Sequence, residues 1–392
     1  MNKVCVVVAT AFTARAFLMD QIRALSALYH LSIATGDNEP ELFHSMPVTV
    51  FQVPIVRNIS PLADVRALVS LYRLCRRQRF DAVHSVTPKA GLLAMLASRM
   101  AGVPLRVHTF TGQVWATQTG FTRLLLKSLD RLLAACATHV LADSASQLAF
   151  LRDQHVLRPG QGEVLASGSI SGVDAMRFRP DPATRALVRV ELDIPDAATV
   201  FIFVGRLKGD KGVVDLAQAF ARVAAETNSY LVLVGPDEEA LTGTVRSAAG
   251  ANLRLVGMTA APERYMAAGD VFCLPSYREG FGAVIIEAAA AGLPAIGSRI
   301  YGITDAIGDG VTGILVAAAD IEGLADAMRL LALDEPKRRA LAHAARERAL
   351  NHFSRDVVTA AVVAFYERIL QRPQTSRQVS RAGRFDAEQG RR

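Results

Sequence analysis

Cysteine is scarce in this sequence. The 392 residues hold four, Cys5, Cys75, Cys136 and Cys273, and no two of them form a CxxC pair. Such isolated thiols exclude a disulfide-stapled scaffold and point to a reducing, cytosolic setting. Long apolar runs are also missing, since none reaches the roughly 18 to 20 residues that cross a bilayer. The stretch from Val4 to Ala11 resembles a short signal core after Lys3, but Arg15 and Asp20 follow at once, so it reads as a buried first strand. Aromatic residues make up only 6%, with Trp115 the single tryptophan, and no RRM, KH or zinc-finger pattern occurs. A nucleic-acid partner is therefore not expected, although the basic charge alone leaves it open. Low-complexity tracts and fixed-period repeats are absent as well.

What the sequence has is apolar mass. Hydrophobic residues are 51% and charged residues 21%, enough for a large core and, at this length, two or three domains. Net charge is +7 but uneven: residues 1–180 carry +8 and the remainder −1. An excess confined to the first half suits an anionic membrane surface or a phosphate-bearing substrate.

Short β-branched runs alternate with longer helical patterns along the whole chain. In the first half they are Val4–Ala9, Leu31–Ala34, Val48–Val53, Ala82–Ser85, Leu105–Phe110 and His139–Ala142. In the second they are Val200–Val204, Tyr230–Val234, Leu253–Val256, Val271–Leu274, Ala295–Gly297 and Ile314–Val316. Continuous apolar runs spaced by helices predict parallel strands covered on both faces. The fold class is α/β, two doubly wound Rossmann-like domains facing across a cleft. Boundaries fall at 1–180 and 181–353, with a closing helix over 354–370 and a disordered tail over 371–392. Gly172, Pro180, Pro182 and Pro195 punctuate the connection between the halves.

Ligands of such sheets bind beyond the carboxyl ends of strands, so the loops after strands carry the chemistry. After Val200–Val204 comes Gly205-Arg206-Leu207-Lys208-Gly209-Asp210-Lys211-Gly212, with a helix beginning near Val213. Glycines, two cations (Arg206 and Lys211) and a helix N-terminus make a diphosphate site. It is not a GxxxxGK[ST] loop, and a plain βα turn with two solvated cations is the alternative. After Val271–Leu274 comes Pro275-Ser276-Tyr277-Arg278-Glu279-Gly280-Phe281-Gly282, then a helix from about Ala283 to Ala291 containing Glu287. Carboxylates accept hydrogen bonds from ribose and sugar hydroxyls. A helix-start charge and a helix-surface glutamate are the alternative, but Glu287 sits in Ala-Val-Ile-Ile-Glu-Ala-Ala-Ala-Ala, where a buried carboxylate needs a partner.

On these residues the chain resembles the family-4 retaining glycosyltransferases of GT-B fold. Their E-x7-E motif is matched by Glu279 and Glu287. Gly172-Val173-Asp174…Phe178-Arg179-Pro180 resembles their interdomain segment. Asp305 and Gly310…Thr312-Gly313-Ile314-Leu315-Val316 resemble the end of their nucleotide domain. The resemblance spans nearly all of residues 1–370. It implies a nucleotide diphosphate sugar, a UDP-sugar first and a GDP-sugar next, as co-substrate, with no cofactor and no metal. It makes Glu279, Arg206 and Lys211 the catalytic set. Gly205, Arg206 and Lys211 would face the diphosphate, and the backbone of Gly280, Phe281 and Gly282 the distal phosphate or sugar. Glu279 would take sugar hydroxyls, Glu287 the ribose, and the loop at Gly257 and Met258 the base. The first domain would bind the acceptor, and the closing helix would cross back onto it.

Many members carry a histidine just before the glycine after the fifth strand. Here Thr111 stands there and His108 three residues earlier, so both are candidates, with Thr10 in the first loop. His84-Ser85-Val86-Thr87-Pro88-Lys89-Ala90-Gly91 resembles members that extend polyprenyl-diphosphate-linked oligosaccharides in bacterial surface-polysaccharide pathways. Lys89, at a helix start, is the candidate for an acceptor phosphate. Arg123, Lys127 and Arg131 fall at i, i+4 and i+8 beside Phe121, Leu124, Leu125, Leu132 and Leu133, and the helix 62–79 adds five arginines. Basic amphipathic helices can lie on anionic bilayers, which would place the chain peripherally on the inner face of the cytoplasmic membrane; an ordinary core-packing helix with a solvated face is the alternative. A UDP-sugar epimerase on a similar fold and a non-enzymatic nucleic-acid-binding protein are the other readings. A phosphorylase would need a pyridoxal-binding lysine, for which the sequence offers no candidate.

Overall fold

A computed structural model describes residues 1–37, 39–56 and 60–371. The expected tail over 371–392 therefore lies, but for Gln371, outside the described residues. The twelve strands are β1 Lys3–Val7, β2 His30–Thr35, β3 Val48–Gln52, β4 Ala82–Ser85, β5 Leu105–Phe110, β6 His139–Ala142, β7 Thr199–Val204, β8 Ser229–Val234, β9 Leu253–Val256, β10 Val271–Leu274, β11 Ala295–Ser298 and β12 Gly313–Val316. They form two six-stranded sheets of order β3-β2-β1-β4-β5-β6 and β12-β11-β10-β7-β8-β9, and every pairing is parallel. The two orders are the same topology read from opposite ends. In each, the strand order reverses between the first and fourth strands, and a doubly wound sheet opens its ligand crevice there.

Val, Ile and Phe fill the central strands because helices cover both faces. Phe201, Ile202 and Phe203 of β7 are fully buried, as are Leu231 and Leu233 of β8 and Phe272 and Cys273 of β10. Arg189 is buried beside them without being orphaned. Its guanidinium reaches Asp270 Oδ2 at 2.7 Å and the carbonyls of Ala268, Pro195, Asp196 and Ala198, pinning helix Pro182–Glu191 to the second sheet. Removing one partner of such a pair costs about 3–5 kcal/mol.

Two strands of chain join the halves side by side. Val173 N–H donates to Phe353 O at 2.8 Å, and Arg355 N–H to Val173 O at 3.0 Å. The helix Arg355–Leu370 then packs in the first half: Val362, Phe365, Tyr366 and Ile369 share a core with Val4, Val6 and Ile22. Tyr366 Oη meets His84 Nδ1 at 2.8 Å, and His84 Nε2 meets Thr109 Oγ1 at 2.8 Å, so the helix is stitched to β4 and β5.

The helix Gly120–Cys136 overturns one expectation. Its cations do not form a free basic stripe. Arg123 and Lys127 both donate to Gln154 Oε1, at 3.1 and 3.0 Å, and lie over the Trp115 ring. Arg131 donates to the His155 and Gln154 carbonyls. Arg131 stays exposed, and the apolar set Phe121, Leu124, Leu125 and Leu132 faces solvent with it, while Leu133 is buried. The cause is Trp115: a buried ring whose face attracts cations draws both side chains inward.

Candidate active site

The site is built from the two loops at the switch point of the second sheet. Turn 205–212 follows β7, and loop 275–282 follows the neighbouring β10. Both end in a glycine with a left-handed backbone, Gly212 (φ +69°) and Gly282 (φ +84°), and each caps the helix it opens, Val213–Ala224 and Ala283–Ala290. Two helix N-termini with accessible N–H groups thus start beside one another. Gly212 has a second reason to be glycine, because a Cβ there would lie 2.1 Å from the Pro275 carbonyl oxygen.

The loops are knitted by polar contacts. Tyr277 N–H donates to Asp210 O at 2.9 Å, Arg278 pairs with Asp210 Oδ2 at 2.8 Å, and the Tyr277 hydroxyl donates to Asp215. Lys211 Nζ meets Glu279 Oε1 at 2.5 Å, and Ser276 Oγ donates to the same oxygen at 3.1 Å. Lys211 and Glu279 are thereby brought together. Arg206 stands at the rim, with its guanidinium 3.0 Å from Glu238 Oε2, and Lys208 reaches Glu238 and Glu239. Neither anchoring glutamate of this rim was singled out from the sequence, since acidic residues after β8 carry no motif.

Glu287 is half-buried one helical turn in, and burial pushes its carboxyl up to about 7, with the Arg177 guanidinium opposing and Glu263 reinforcing the shift. Arg177 pairs with Glu263 at 2.8 Å and donates to Ala260 O, so Glu287 lies beside the loop after β9. Gly257 and Met258 stand exposed in that loop. The Phe281 ring turns away to pack 5.1 Å from Phe353, leaving only its backbone at the site. Gly205 ends β7, with its N–H on Val234 O.

The first half closes over these loops. Thr111 and Gly112 abut Gly280 so closely that a Cβ on Gly280 would sit 2.2 Å from the Thr111 oxygen. Ser144 Oγ, capping helix Ala145–Asp153, donates to Gly280 O at 3.0 Å. Ser146 accepts from Gly302 N–H at 2.7 Å and donates to Asp305. Phe150 stacks between Trp115 and Tyr301, with ring centroids 5.3 and 4.3 Å away.

Three candidates of the first half are placed differently from one another. His108 is 1% exposed inside β5, with Nδ1 2.9 Å from Ser85 Oγ, and burial pushes it down to about 3. It is a buried strand histidine, the second of the two readings that its position allows: strand register turns it toward Gly91, beneath the surface. Lys89 opens helix Pro88–Met100, and its ammonium lies 2.6 Å from Asp64 Oδ1, so its charge is already countered. Thr10 caps the short helix Ala11–Phe17 with its own hydroxyl.

Two family models divide the chain: "Glycosyl transferase 4-like domain" matches residues 13–168 and "Glycosyl transferases group 1" residues 185–348. An α-1,3-galactosyltransferase of Escherichia coli, described as acting from UDP-Gal on α-D-GlcNAc-diphosphoundecaprenol, is 31% identical over 291 residues, 72% of this chain and 74% of that one. The chain belongs to the group 1 glycosyl transferases. This glycosyltransferase is also 28% identical to the capsular polysaccharide glycosyltransferase CapM of Staphylococcus aureus, over 81% of its own length and 85% of that protein's. Solved structures repeat the GT-B fold. The Anabaena HepE protein in complex with UDP-glucose superposes with a TM-score of 0.78 at 19% identity over 94% of this chain and all of that one. Sucrose-phosphate synthase of Thermosynechococcus elongatus gives 0.80 at 20% identity, over 94% and 99%. Among the described residues, no helix is long and apolar enough to cross a membrane.

Proposed function

We propose that this enzyme moves a hexosyl or N-acetylhexosaminyl unit from a UDP-sugar to a glycan carried on a polyprenyl diphosphate, with retention of anomeric configuration, in bacterial surface-polysaccharide or lipopolysaccharide synthesis. The carrying observation is the 2.5 Å contact of Lys211 with Glu279, framed by the helix starts at Gly212 and Gly282. A cation, two helix N-termini and a hydroxyl-accepting carboxylate in one place match a sugar joined to a diphosphate. The donor diphosphate competes for Lys211 and Arg206, and so releases Glu279 to sugar hydroxyls. Glu287, beside the loop at Gly257 and Met258, takes the ribose.

The acceptor hydroxyl attacks the anomeric carbon on the face that the phosphate leaves. The carbon–oxygen bond to UDP breaks as the new one forms, and the departing phosphate oxygen takes the acceptor proton. Lys211, Arg206 and the helix dipoles stabilise the charge growing on that oxygen, with no metal required. The relatives named for lipid-linked and capsular glycans support the acceptor class. The exposed apolar ridge of helix Gly120–Cys136 and the basic first half support attachment to an anionic bilayer on the cytoplasmic side.

The test assays sugar transfer from a panel of UDP- and GDP-sugars with Glu279→Ala beside the wild type. Turnover should fall about 10²-fold or more, and wild-type activity should persist in EDTA. Near wild-type turnover by the variant defeats the role of Glu279, and complete loss in EDTA defeats metal independence.

A further inference from the structure

Buried polar atoms in folded proteins are almost always hydrogen-bonded, so orphans in neighbouring loops call for a cause. Two such atoms lie in neighbouring loops of the first half: Asp143 Oδ1 and Gln113 Nε2 have no hydrogen-bond partner. Asp143 is 5% exposed and Gln113 1%. Asp143 follows β6, at the carboxyl edge where a doubly wound sheet meets its ligands. Its other oxygen, Oδ2, is 3.0 Å from where a Cβ on Gly280 would lie. Gln113 follows Gly112, whose own Cβ position is 3.2 Å from Gly280 N. Tyr301 precedes Gly302, which packs on the Gly280 and Glu279 carbonyls, and its hydroxyl accepts from the Gln113 backbone N–H across the gap.

Gln147 holds two of these groups in place. Its Oε1 accepts from Asp143 N–H at 2.8 Å, and its Nε2 donates to Gln113 Oε1 at 3.5 Å. The backbone and the amide oxygen are thus occupied, while the Asp143 carboxyl and the Gln113 amine are left over. An acceptor and a donor left over on the two groups that Gln147 joins suit a polyol, since each sugar hydroxyl both donates and accepts. Burial pushes the Asp143 carboxyl up from its ordinary range, with no neighbouring cation to offset it. A structural ion pair is therefore not its purpose.

We infer that Asp143, with Gln113 beside it, recognises a hydroxyl of the transferred sugar and so sets donor-sugar selectivity from the first domain. This rests on the donor reading of the Glu279–Gly282 loop and adds the residues that distinguish one sugar from its epimer. A buried site built to hydrogen-bond a hydroxyl rejects an analogue lacking it strongly, because its own groups are then stranded.

The experiment titrates full-length protein, with no acceptor present, with UDP and then with UDP-glucose, UDP-galactose and their N-acetylated forms. Wild type and Asp143→Asn are compared, since the amide keeps the shape of the carboxyl and spares the fold. Affinity for UDP should stay within about twofold, while affinity for the preferred UDP-sugar falls about ten- to a hundredfold and the ratio between 4-epimers collapses. An unchanged epimer ratio overturns the inference, as does an equal loss for UDP, which marks a merely structural role. A defect that appears only when a glycan acceptor is added assigns the hydroxyl to the acceptor and also overturns it. If the wild type binds none of these nucleotides, the donor reading falls first and this inference with it.

Discussion

Lys211 and Glu279 are a charge pair 2.5 Å apart, and on the proposed donor reading an incoming diphosphate would rearrange it. Two histidines beneath the cleft play an opposite part. His84 and His108 are held neutral by burial, pushed down to about 4 and about 3. A base with a lowered folded-state pKa contributes stability that is present above its unfolded value near 6.5 and is lost as pH falls below it. For His108 that loss is on the order of a few kcal/mol between pH 7 and pH 4.5. Raised carboxyl values at Glu287 and Asp143 work in the other direction, so only a difference isolates the histidine. Urea unfolding of wild type and His108→Gln at both pH values should show the gap between them shrinking by about that amount. A constant gap would mean that His108 is charged in the folded protein.

Elements show how one side chain redirects a surface. The spacing of Arg123, Lys127 and Arg131 marks a stripe, but a stripe has no preferred partner until the neighbours are known. Trp115 supplies one from a separate segment and takes two of the cations inward. The helix then presents Phe121, 77% exposed, with Leu124, Leu125 and Leu132. Vesicle binding should therefore depend on the leucines more than on the lysine. Sedimentation with phosphatidylcholine–phosphatidylglycerol vesicles should be reduced at least tenfold by the Leu124→Glu, Leu125→Glu double variant, with melting temperature kept. Equal binding by that variant removes the ridge from the membrane reading.

At the scale of the whole molecule, the two sheets meet where Thr111, Gly112, Asp143, Ser144 and Ser146 face Gly280, Gly302 and Asp305, with the Trp115–Phe150–Tyr301 stack across both. Polar interfaces between domains open readily, and the paired crossings at Val173 and Ser354 are the candidate hinge for the closure that the proposed function predicts. Stacked aromatic pairs contribute about 0.5–1.5 kcal/mol beyond their area. Tyr301→Ala should thus shift the closing equilibrium several-fold toward open. A fluorescent pair on the two domains should need a higher UDP-sugar concentration to report closure, and an unchanged midpoint would show that the stack bears no closing load.

Local order alone determined a great deal of this protein. Twelve apolar runs became twelve parallel strands because both sheet faces are covered, and glycine-bearing loops at 205–212 and 279–282 fall after strands whatever the packing. The loops and helix starts that carry Glu279, Glu287, Arg206 and Lys211 were legible because helix starts and charges declare themselves within one segment, while the roles of these residues stay with the proposal. Tertiary structure decided what depends on segments far apart. Asp143, Gln113 and Tyr301 come from loops after three different strands, and only the meeting of the two sheets brings Asp143 against Gly280 and Tyr301 onto the Gln113 backbone. The inward turn of Arg123 and the burial of His108 have the same origin. A side chain's partner across a domain gap is fixed by three-dimensional distance, and the spacing of residues along a chain carries no record of it.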